Sequence, residues 1–293
     1  MIKKTADHYI LLTIAYLFVG ALALLALTPF VILAINSFAS EKAIITHGYS
    51  FWPGDWSLDS YEMIFGNPQK IAHTYLITII VTACGTLLSL LFTSMCAYVL
   101  SRKELRYRGA LAFFLYFTQL FNGGLVPFYL LVSRDLHLSN NIMVLILVPM
   151  FSVMNILIMR NYMKNSIPDS IIESATIDGV DEFGVYWRMV LPLSGPVLAS
   201  IGLFTALGYW NDWWTPMMFV QKAELHPLQY TLYQMLSSVN FSAQMVNNMP
   251  TIDMPKETLK LAMTVVATGP IVAAYPFVQR HFVSGITMGA VKG

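Results

Sequence analysis

One apolar stretch of this sequence contains the polar and aromatic side chains that could bind a hydroxylated solute, Trp210-Asn211-Asp212-Trp213. A carboxylate inside an apolar run of membrane length is costly and is by default a functional residue. Indole faces can stack on the apolar faces of a sugar ring, while amide and carboxylate groups bind its hydroxyls. Two other interpretations stay open: a polar cluster that pins helices together, and tryptophans at the outer membrane interface.

A second polar patch lies in another apolar stretch and contains Gln119 and Asn122, followed by Gly123-Gly124. Discontinuous helices along a translocation path have this composition. Close helix packing through the two glycines is the alternative. We expect one substrate path to be lined by Trp210, Asn211, Asp212, Trp213, Gln119 and Asn122.

Several other chemistries are not indicated by the sequence. It contains no Gly-x4-Gly-Lys-Ser/Thr pattern for cradling nucleotide phosphates. The six histidines are scattered without the spacing of a zinc site, and Cys84 and Cys96 lie in one apolar stretch as expected of packing residues. We therefore expect no metal and no cofactor in this chain, and we do not expect it to be an enzyme. Any ATP and Mg²⁺ would have to be bound by a partner.

Composition indicates an integral membrane protein. The 293 residues are 56% hydrophobic and only 11% charged, whereas soluble domains carry about 25% charged residues. The formal net charge of +1 does not suggest a nucleic acid as partner.

The apolar stretches predict an all-α fold with six membrane-spanning helices, because each approaches the ~20 residues that cross a bilayer. The predicted spans are 9–35, 71–100, 110–132, 141–159, 195–220 and 259–278. Residues 1–293 would form a single permease domain with its core at 71–280, outer loops at 36–70 and 221–258, and a polar segment at 165–192 between the fourth and fifth spans.

The distribution of basic residues predicts the orientation of this fold. Eleven of the 17 lysines and arginines lie on the side of both termini and of segment 165–192: Lys3, Lys4, Arg102, Lys103, Arg106, Arg108, Arg160, Lys164, Arg188, Arg280 and Lys292. We expect a multi-pass protein of the cytoplasmic membrane with both termini and segment 165–192 in the cytoplasm.

Segment 165–192 has the pattern of two short helices outside the bilayer. Ser166 and Asp169 fit a capping box with Pro168 near the first helical position. Gly179 stands where a C-terminal cap glycine belongs. Asp181 can cap a second helix that carries Phe183, Trp187 and Val190 on one side and ends at Leu191-Pro192. Such a pair would present a compact knob to another protein, although an ordinary cytoplasmic loop is the alternative.

The residues of this segment resemble the EAA signature of bacterial ABC-importer permeases. Glu173-Ser174-Ala175, Gly179 after three residues and Met189-Val190-Leu191-Pro192 after nine more follow the pattern, with Ser174 and Met189 replacing an alanine and an isoleucine. The resemblance implies the type I permease fold and a coupling helix that docks on an ATPase. The coupling residues we expect are Pro168, Glu173, Ser174, Ala175, Asp178, Gly179 and Phe183.

Other parts of the chain resemble the carbohydrate-uptake branch of this family, notably Trp210-Asn211-Asp212, His226-Pro227-Leu228-Gln229-Tyr230 and Phe277-Val278-Gln279-Arg280-His281. The likeness is greatest to permeases that import oligosaccharides of complex, often acidic polysaccharides of pectin or alginate type.

This resemblance implies a second homologous permease subunit in a heterodimer, two ATPase subunits and an extracytoplasmic solute-binding protein. The transported substrate would be an oligosaccharide moved by alternating access. Two alternatives stay open: an ABC permease for another solute such as an amino acid or peptide, and an ion-coupled transporter that uses Asp212.

Overall fold

The computed structural model describes residues 6–245 and 255–290, and throughout these ranges the regular elements are helices. Residues 246–254 of the predicted outer loop, Lys3 and Lys4, and Lys292 of the tail lie outside the described residues. The helices of ordinary geometry are α1 (Ala6–Asn36), α2 (Glu41–His47), α3 (Asp59–Phe65), α4 (Pro68–Ser101), α5 (Arg108–Leu120), α6 (Leu125–Leu130), α7 (Ile142–Leu147), α8 (Val153–Ser166), α9 (Asp169–Ile177), α10 (Glu182–Val185), α11 (Leu191–Leu193), α12 (Gly195–Trp210), α13 (Trp214–Phe219), α14 (Leu228–Met245) and α15 (Glu257–Ala290). Wider π-helical turns cover Leu131–Asp135 and Tyr186–Val190, and a 3₁₀ turn covers Ala223–Leu225.

The chain divides into two compact units. The first combines the chain up to Pro68 with Gln234–Pro270, and the second combines Gln69–Tyr233 with the chain from Ile271 onwards. The predicted outer loop 36–70 contains α2 and α3 in the first unit. Its Glu41 carboxylate accepts hydrogen bonds from the backbone N–H groups of Glu257 and Thr258, both at 2.9 Å. The first turn of α15 is thereby capped, because these N–H groups have no partner within their own helix.

Two described helices are long and apolar enough to cross a membrane, Tyr9–Asn36 and Pro68–Ser101. They coincide with the first and second predicted spans. Two bent helix pairs raise this number to four if each pair makes one crossing: Arg108–Leu120 with Leu125–Asp135, and Glu182–Leu193 with Gly195–Trp210. The count of six spans therefore stays a prediction.

Three of the predicted spans are interrupted. The third bends by 109° between α5 and α6, where Gly124 has a φ of +94° that favours glycine. The predicted fourth span is two helices, α7 and α8, because Pro149 has no backbone N–H to continue the hydrogen bonding of α7. In the predicted fifth span, α12 ends at Trp210 and a second helix, α13, begins at Trp214. Pro216 enforces this break, since its ring would clash with the carbonyl four residues earlier.

The last predicted span, 259–278, lies inside α15, whose backbone continues as a helix to Ala290. The end of the membrane span at residue 278 stays a prediction, because a helix can continue beyond the bilayer.

Two buried clusters stabilise the second unit. One joins the end of α4 to segment 165–192 and contains Met159, Ala175, Val185, Val190 and Ile201. The other joins the first half of α4 to α7, α12 and α13, with Tyr209 near its middle. The Tyr209 ring lies so close to Gly85 that an added Cβ there would be 2.4 Å from it, and its hydroxyl donates to the Ile146 carbonyl at 2.6 Å. Each cluster thus positions one of the two groups of candidate residues.

Candidate coupling segment and substrate path

Segment 165–192 forms two short helices, but its first helix does not begin as the sequence predicts. α8 continues to Ser166, so this residue is helical and cannot form the predicted capping box. Pro168 is the N-cap of α9 and makes no side-chain hydrogen bond. Asp169, the first residue of α9, pairs instead with Lys103 on the turn between α4 and α5.

The predicted cap at Gly179 is present. Gly179 has a φ of +79°, its N–H donates to the Thr176 carbonyl at 3.1 Å, and the Val180 N–H donates to the Ala175 carbonyl at 3.0 Å. This pair of reversed hydrogen bonds is a Schellman motif, which satisfies the last carbonyls of a helix and turns the chain. Val180 then packs against the same buried cluster as Ala175.

The second short helix, α10, begins as predicted. Asp181 Oδ1 accepts from the Gly184 N–H at 3.1 Å. Phe183 and Trp187 share an exposed face, with 62% and 51% of each side chain accessible and their rings stacked 6.2 Å apart. Val190, predicted on the same face, is buried instead. The wide turn Tyr186–Val190, closed by a hydrogen bond from the Leu191 N–H to the Tyr186 carbonyl, separates it from that face.

This helical stretch also extends beyond its predicted end. Helical structure continues past Leu191-Pro192 to Leu193 and then meets α12 at an angle of 78°. Pro192 therefore lies within a continuous helical run, directly after the π-helical turn Tyr186–Val190.

The predicted coupling residues fall on two faces of the segment. Ala175 is 1% exposed and packs inward, which explains the need for a small side chain. Glu173, Ser174, Asp178, Gly179 and Phe183 are exposed. Ile177, which the sequence analysis did not select, is 85% exposed, more than any other large apolar side chain in the part of the chain whose side chains are described. Ile177, Phe183 and Trp187 are the exposed large apolar side chains of segment 165–192, and we call these three residues the docking face.

A ladder of contacts fixes α10 to the end of α4. Ser94 and Tyr98 are four residues apart and lie on one side of α4, and Arg102 follows directly after the end of the helix. The Tyr98 hydroxyl and Arg102 Nη2 both donate to the carboxylate of Glu182, the latter at 2.9 Å. The Tyr186 hydroxyl is hydrogen bonded to Ser94 Oγ at 2.8 Å, and the rings of Tyr98 and Tyr186 lie 5.4 Å apart. We call these contacts the α4 ladder.

Electrostatics favour the ionised forms of the acidic residues at this junction. The hydrogen bond from Tyr98 and then the Arg102 guanidinium lower the pKa of Glu182, against an opposing effect of partial burial. The hydrogen bond from Lys103 lowers the pKa of Asp169. Asp169 and Glu182 are therefore charged partners of the basic turn that follows α4.

The second candidate group surrounds the break between α12 and α13. Asp212 Oδ1 accepts from the backbone N–H groups of Trp214 and Thr215, both at 3.0 Å, and so caps α13. Asn211 and Trp213 are exposed. Asp212 therefore has a structural role that the sequence analysis did not predict, whereas its neighbours present polar and aromatic surface.

Two residues of α14 join this group. Gln229 Nε2 donates to Asn211 Oδ1 at 3.4 Å. The Tyr233 ring is stacked on Trp213 at 4.7 Å, and both side chains remain about two-fifths exposed. The sequence analysis noted Gln229 only as part of a family motif and missed Tyr233. Their four-residue spacing, which places them on one face of a helix, was the available signal.

The two remaining path candidates lie at the other broken span. Asn122 Oδ1 accepts from the Gly124 N–H at 2.8 Å, which is a local turn contact. Gln119 lies in the last turn of α5 and is exposed. A role of either side chain in substrate binding stays a prediction.

Residues 89–288 match the family described as binding-protein-dependent transport system inner membrane component. The chain belongs to this family. Its similarity to known permeases also extends over almost the full length. It is 37% identical over 282 residues to the polygalacturonan/rhamnogalacturonan transport system permease protein YtcP of Bacillus subtilis, covering 95% of this chain and 96% of that protein. It is 35% identical over 277 residues to the protein LplC of the same organism, covering 94% and 93%.

A solved structure has the same fold as this permease. A chain of a bacterial ABC transporter involved in the import of the acidic polysaccharide alginate superposes with a TM-score of 0.73 at 30% identity, covering 95% of this chain and 98% of that chain. The permease is thus a helical inner-membrane component of an ABC importer and is not itself an enzyme. Membership of this family implies a partner ATPase and a solute-binding protein.

Proposed function

We propose that this permease is the membrane subunit of an ATP-driven importer of oligosaccharides, including those that contain uronic acids. The observation that carries the proposal is the docking face, an exposed apolar knob on a segment that is capped at Gly179 and tied to α4. Similarity to a polygalacturonan/rhamnogalacturonan permease and to a chain of an alginate importer supports the substrate class.

In this proposal the coupling segment is cytoplasmic and binds an ATPase subunit. Ile177, Phe183 and Trp187 fill an apolar groove of the ATPase, and Glu173 and Asp178 bind basic groups at its edge. Gly179 keeps the two short helices at a fixed angle. Closure of the ATPase dimer moves the segment, and the cavity between the permease subunits turns outward.

The remaining architecture follows from this role. Six spans form a single permease domain with both termini in the cytoplasm. A homologous second permease completes a heterodimer, because six helices alone would enclose an oligosaccharide path with a thin wall. Two ATPase subunits bind inside, and a solute-binding protein delivers substrate to the outer loops.

The substrate path runs past the break between α12 and α13. Trp213 and Tyr233 offer an aromatic platform for an apolar sugar face. Asn211 and Gln229 offer amide donors and acceptors for the hydroxyl groups. Trp210, Asp212, Gln119 and Asn122 complete the residues assigned to this path.

The test is ATP hydrolysis by the reconstituted complex of permeases, ATPases and binding protein, titrated with neutral and uronic-acid oligosaccharides of equal length. Stimulation by galacturonate or alginate oligomers, but not by the neutral series, is expected. A complex with normal basal hydrolysis that no sugar stimulates would contradict the substrate class and favour an ABC permease for another solute.

A further inference from the structure

A groove of about 370 Å³ lies between the C-terminal end of α4 and the first half of α5, the ends that are predicted to face the cytoplasm, and every side chain that lines it is apolar. Its wall includes Phe92, Met95, Cys96 and Val99 from α4, with Leu111 and Phe114 from α5. The α4 residues recur at i, i+3, i+4 and i+7, so they form one continuous helix face. This face is distinct from the α4 ladder of Ser94, Tyr98 and Arg102.

The depth of the groove corresponds to one leaflet of a bilayer. Phe92 precedes the end of α4 at Ser101 by nine residues, which at 1.5 Å per residue is about 14 Å. Half of a hydrocarbon core of about 30 Å is about 15 Å. Along α4 the groove is therefore about as long as one leaflet is thick.

The turn at the mouth of the groove is strongly basic. Between Arg102 and Arg108 it carries four cations and one carboxylate, a net charge of 4 − 1 = +3. Arg102 and Lys103 are paired with Glu182 and Asp169 of the coupling segment.

The two other cations of the turn are differently placed. Arg106 lies over the Tyr107 ring at 5.8 Å, and Arg108 Nη1 donates to the Arg102 carbonyl at 3.3 Å. Within residues 6–245 and 255–290 neither guanidinium forms an ion pair with a carboxylate.

We propose that this groove and turn bind one anionic phospholipid. One acyl chain lies in the groove, and the phosphate accepts hydrogen bonds from Arg106 and Arg108, whose planar donors suit phosphate oxygens. Tyr107 is 65% exposed beside them, at the headgroup level where tyrosine is favoured. A partner helix that filled the groove would have to bring carboxylates to both guanidinium groups, whereas an anionic lipid supplies the acyl chain and the counter-charge in one molecule. The charge at the mouth therefore favours a lipid, and this proposal does not depend on the transported substrate.

The test is native mass spectrometry of the assembled complex, exchanged into equal amounts of phosphatidylglycerol and phosphatidylethanolamine with identical acyl chains. The wild type should retain phosphatidylglycerol preferentially. A basic residue near a membrane surface contributes about five-fold in affinity, so the variant Arg106→Ala/Arg108→Ala should lose about 30-fold. Met95→Trp, which fills the groove, should also lose the bound lipid.

The matched control is Arg134→Ala/Lys222→Ala, which removes the same charge from two exposed residues on the predicted outer side and should retain the lipid. Equal retention of both lipids by the wild type, or wild-type retention by Arg106→Ala/Arg108→Ala, would overturn the proposal. If lipid binds to the isolated chain but not to the assembled complex, the groove is part of a subunit interface and the proposal is wrong.

Discussion

Removing the Glu182 carboxylate should uncouple ATP hydrolysis from transport, because both helices of the α4 ladder meet at this group. In Glu182→Ala the Tyr98 hydroxyl loses its acceptor. Tyr98 is only 6% exposed, and a buried polar group without a partner costs about 1–3 kcal/mol. The lost pair with Arg102 adds less than about 1 kcal/mol, since 63% of the Glu182 side chain is accessible to solvent.

These contributions amount to about 2 kcal/mol, which weakens the association of α10 with α4 about 30-fold. The docking face lies on other residues, so the ATPase should still bind and hydrolyse ATP. Sugar uptake and phosphate release are measured in the same proteoliposomes, and the amount of sugar transported per ATP is compared. We expect this ratio to fall on the order of ten-fold or more in Glu182→Ala.

Two variants separate this effect from general damage. Glu182→Gln keeps an oxygen that can accept from Tyr98, so it should retain most of the coupling. Glu104→Ala removes a carboxylate that is 69% exposed and only 3.4 Å from Arg102 Nε, and it should behave as wild type. An unchanged ratio in Glu182→Ala, with the complex fully assembled, would refute a role of the ladder in transmission. A parallel loss of hydrolysis and uptake would refute it equally, because it indicates loss of ATPase binding.

Three further results are expected. Gly179→Asn should retain more uptake than Gly179→Val at equal membrane abundance, because asparagine tolerates positive φ whereas other side chains pay about 1–2 kcal/mol for left-handed geometry. Equal losses of uptake would indicate a steric clash with the ATPase, since a Cβ at Gly179 meets nothing within 4 Å in this chain. Asp212→Ala should lower the melting temperature of the complex through loss of a cap worth about 1 kcal/mol, whereas Asp212→Asn should be near wild type in stability and uptake; a stable but inactive Asn variant would show that the charge itself is required. Because the pKa of Glu182 is lowered, the stabilisation from its carboxylate is complete above the ordinary glutamate pKa of about 4.3 and is lost as pH falls through the lowered value. The melting temperatures of wild type and Glu182→Gln should therefore differ by a constant amount from about pH 5 to about pH 8 and converge in stronger acid. Convergence near neutral pH would contradict this.

Local backbone chemistry made the coupling segment predictable. The cap at Gly179 depends on positive φ, and the cap at Asp181 depends on a carboxylate three residues before an N–H group, so both can be recognised from neighbouring residues. The capping box at Ser166 failed because tertiary packing of α8 prolongs that helix by a further turn. Packing of this kind is set by residues distant in the sequence.

The helix breaks were less well predicted because mean hydropathy does not distinguish an interrupted apolar helix from a continuous one. Pro149 and Pro216 lie in runs whose mean hydropathy is high despite a few polar residues, and the predicted spans 141–159 and 195–220 were drawn across them. The rule that proline ends or redirects a helix was sufficient to place both breaks. It would also have indicated that Asp212 caps the helix that begins after the second break.

The α4 ladder could not have been inferred from the sequence. Tyr98 and Glu182 are 84 residues apart, and nothing in either neighbourhood specifies the other. The spacing of Ser94 and Tyr98 does show a polar stripe on an apolar helix. Such a stripe indicates that a partner exists, but the identity of the partner depends on how the chain folds.

The separation of inward and outward side chains on the coupling segment has a consequence for the evolution of importers. Ala175, Val185 and Val190 hold the segment in place, whereas Ile177, Phe183 and Trp187 make no part of that core. The outward residues can therefore drift without loss of folding stability. If these outward residues bind the ATPase as proposed, changes at a few exposed positions would be enough to adapt the permease to a different ATPase.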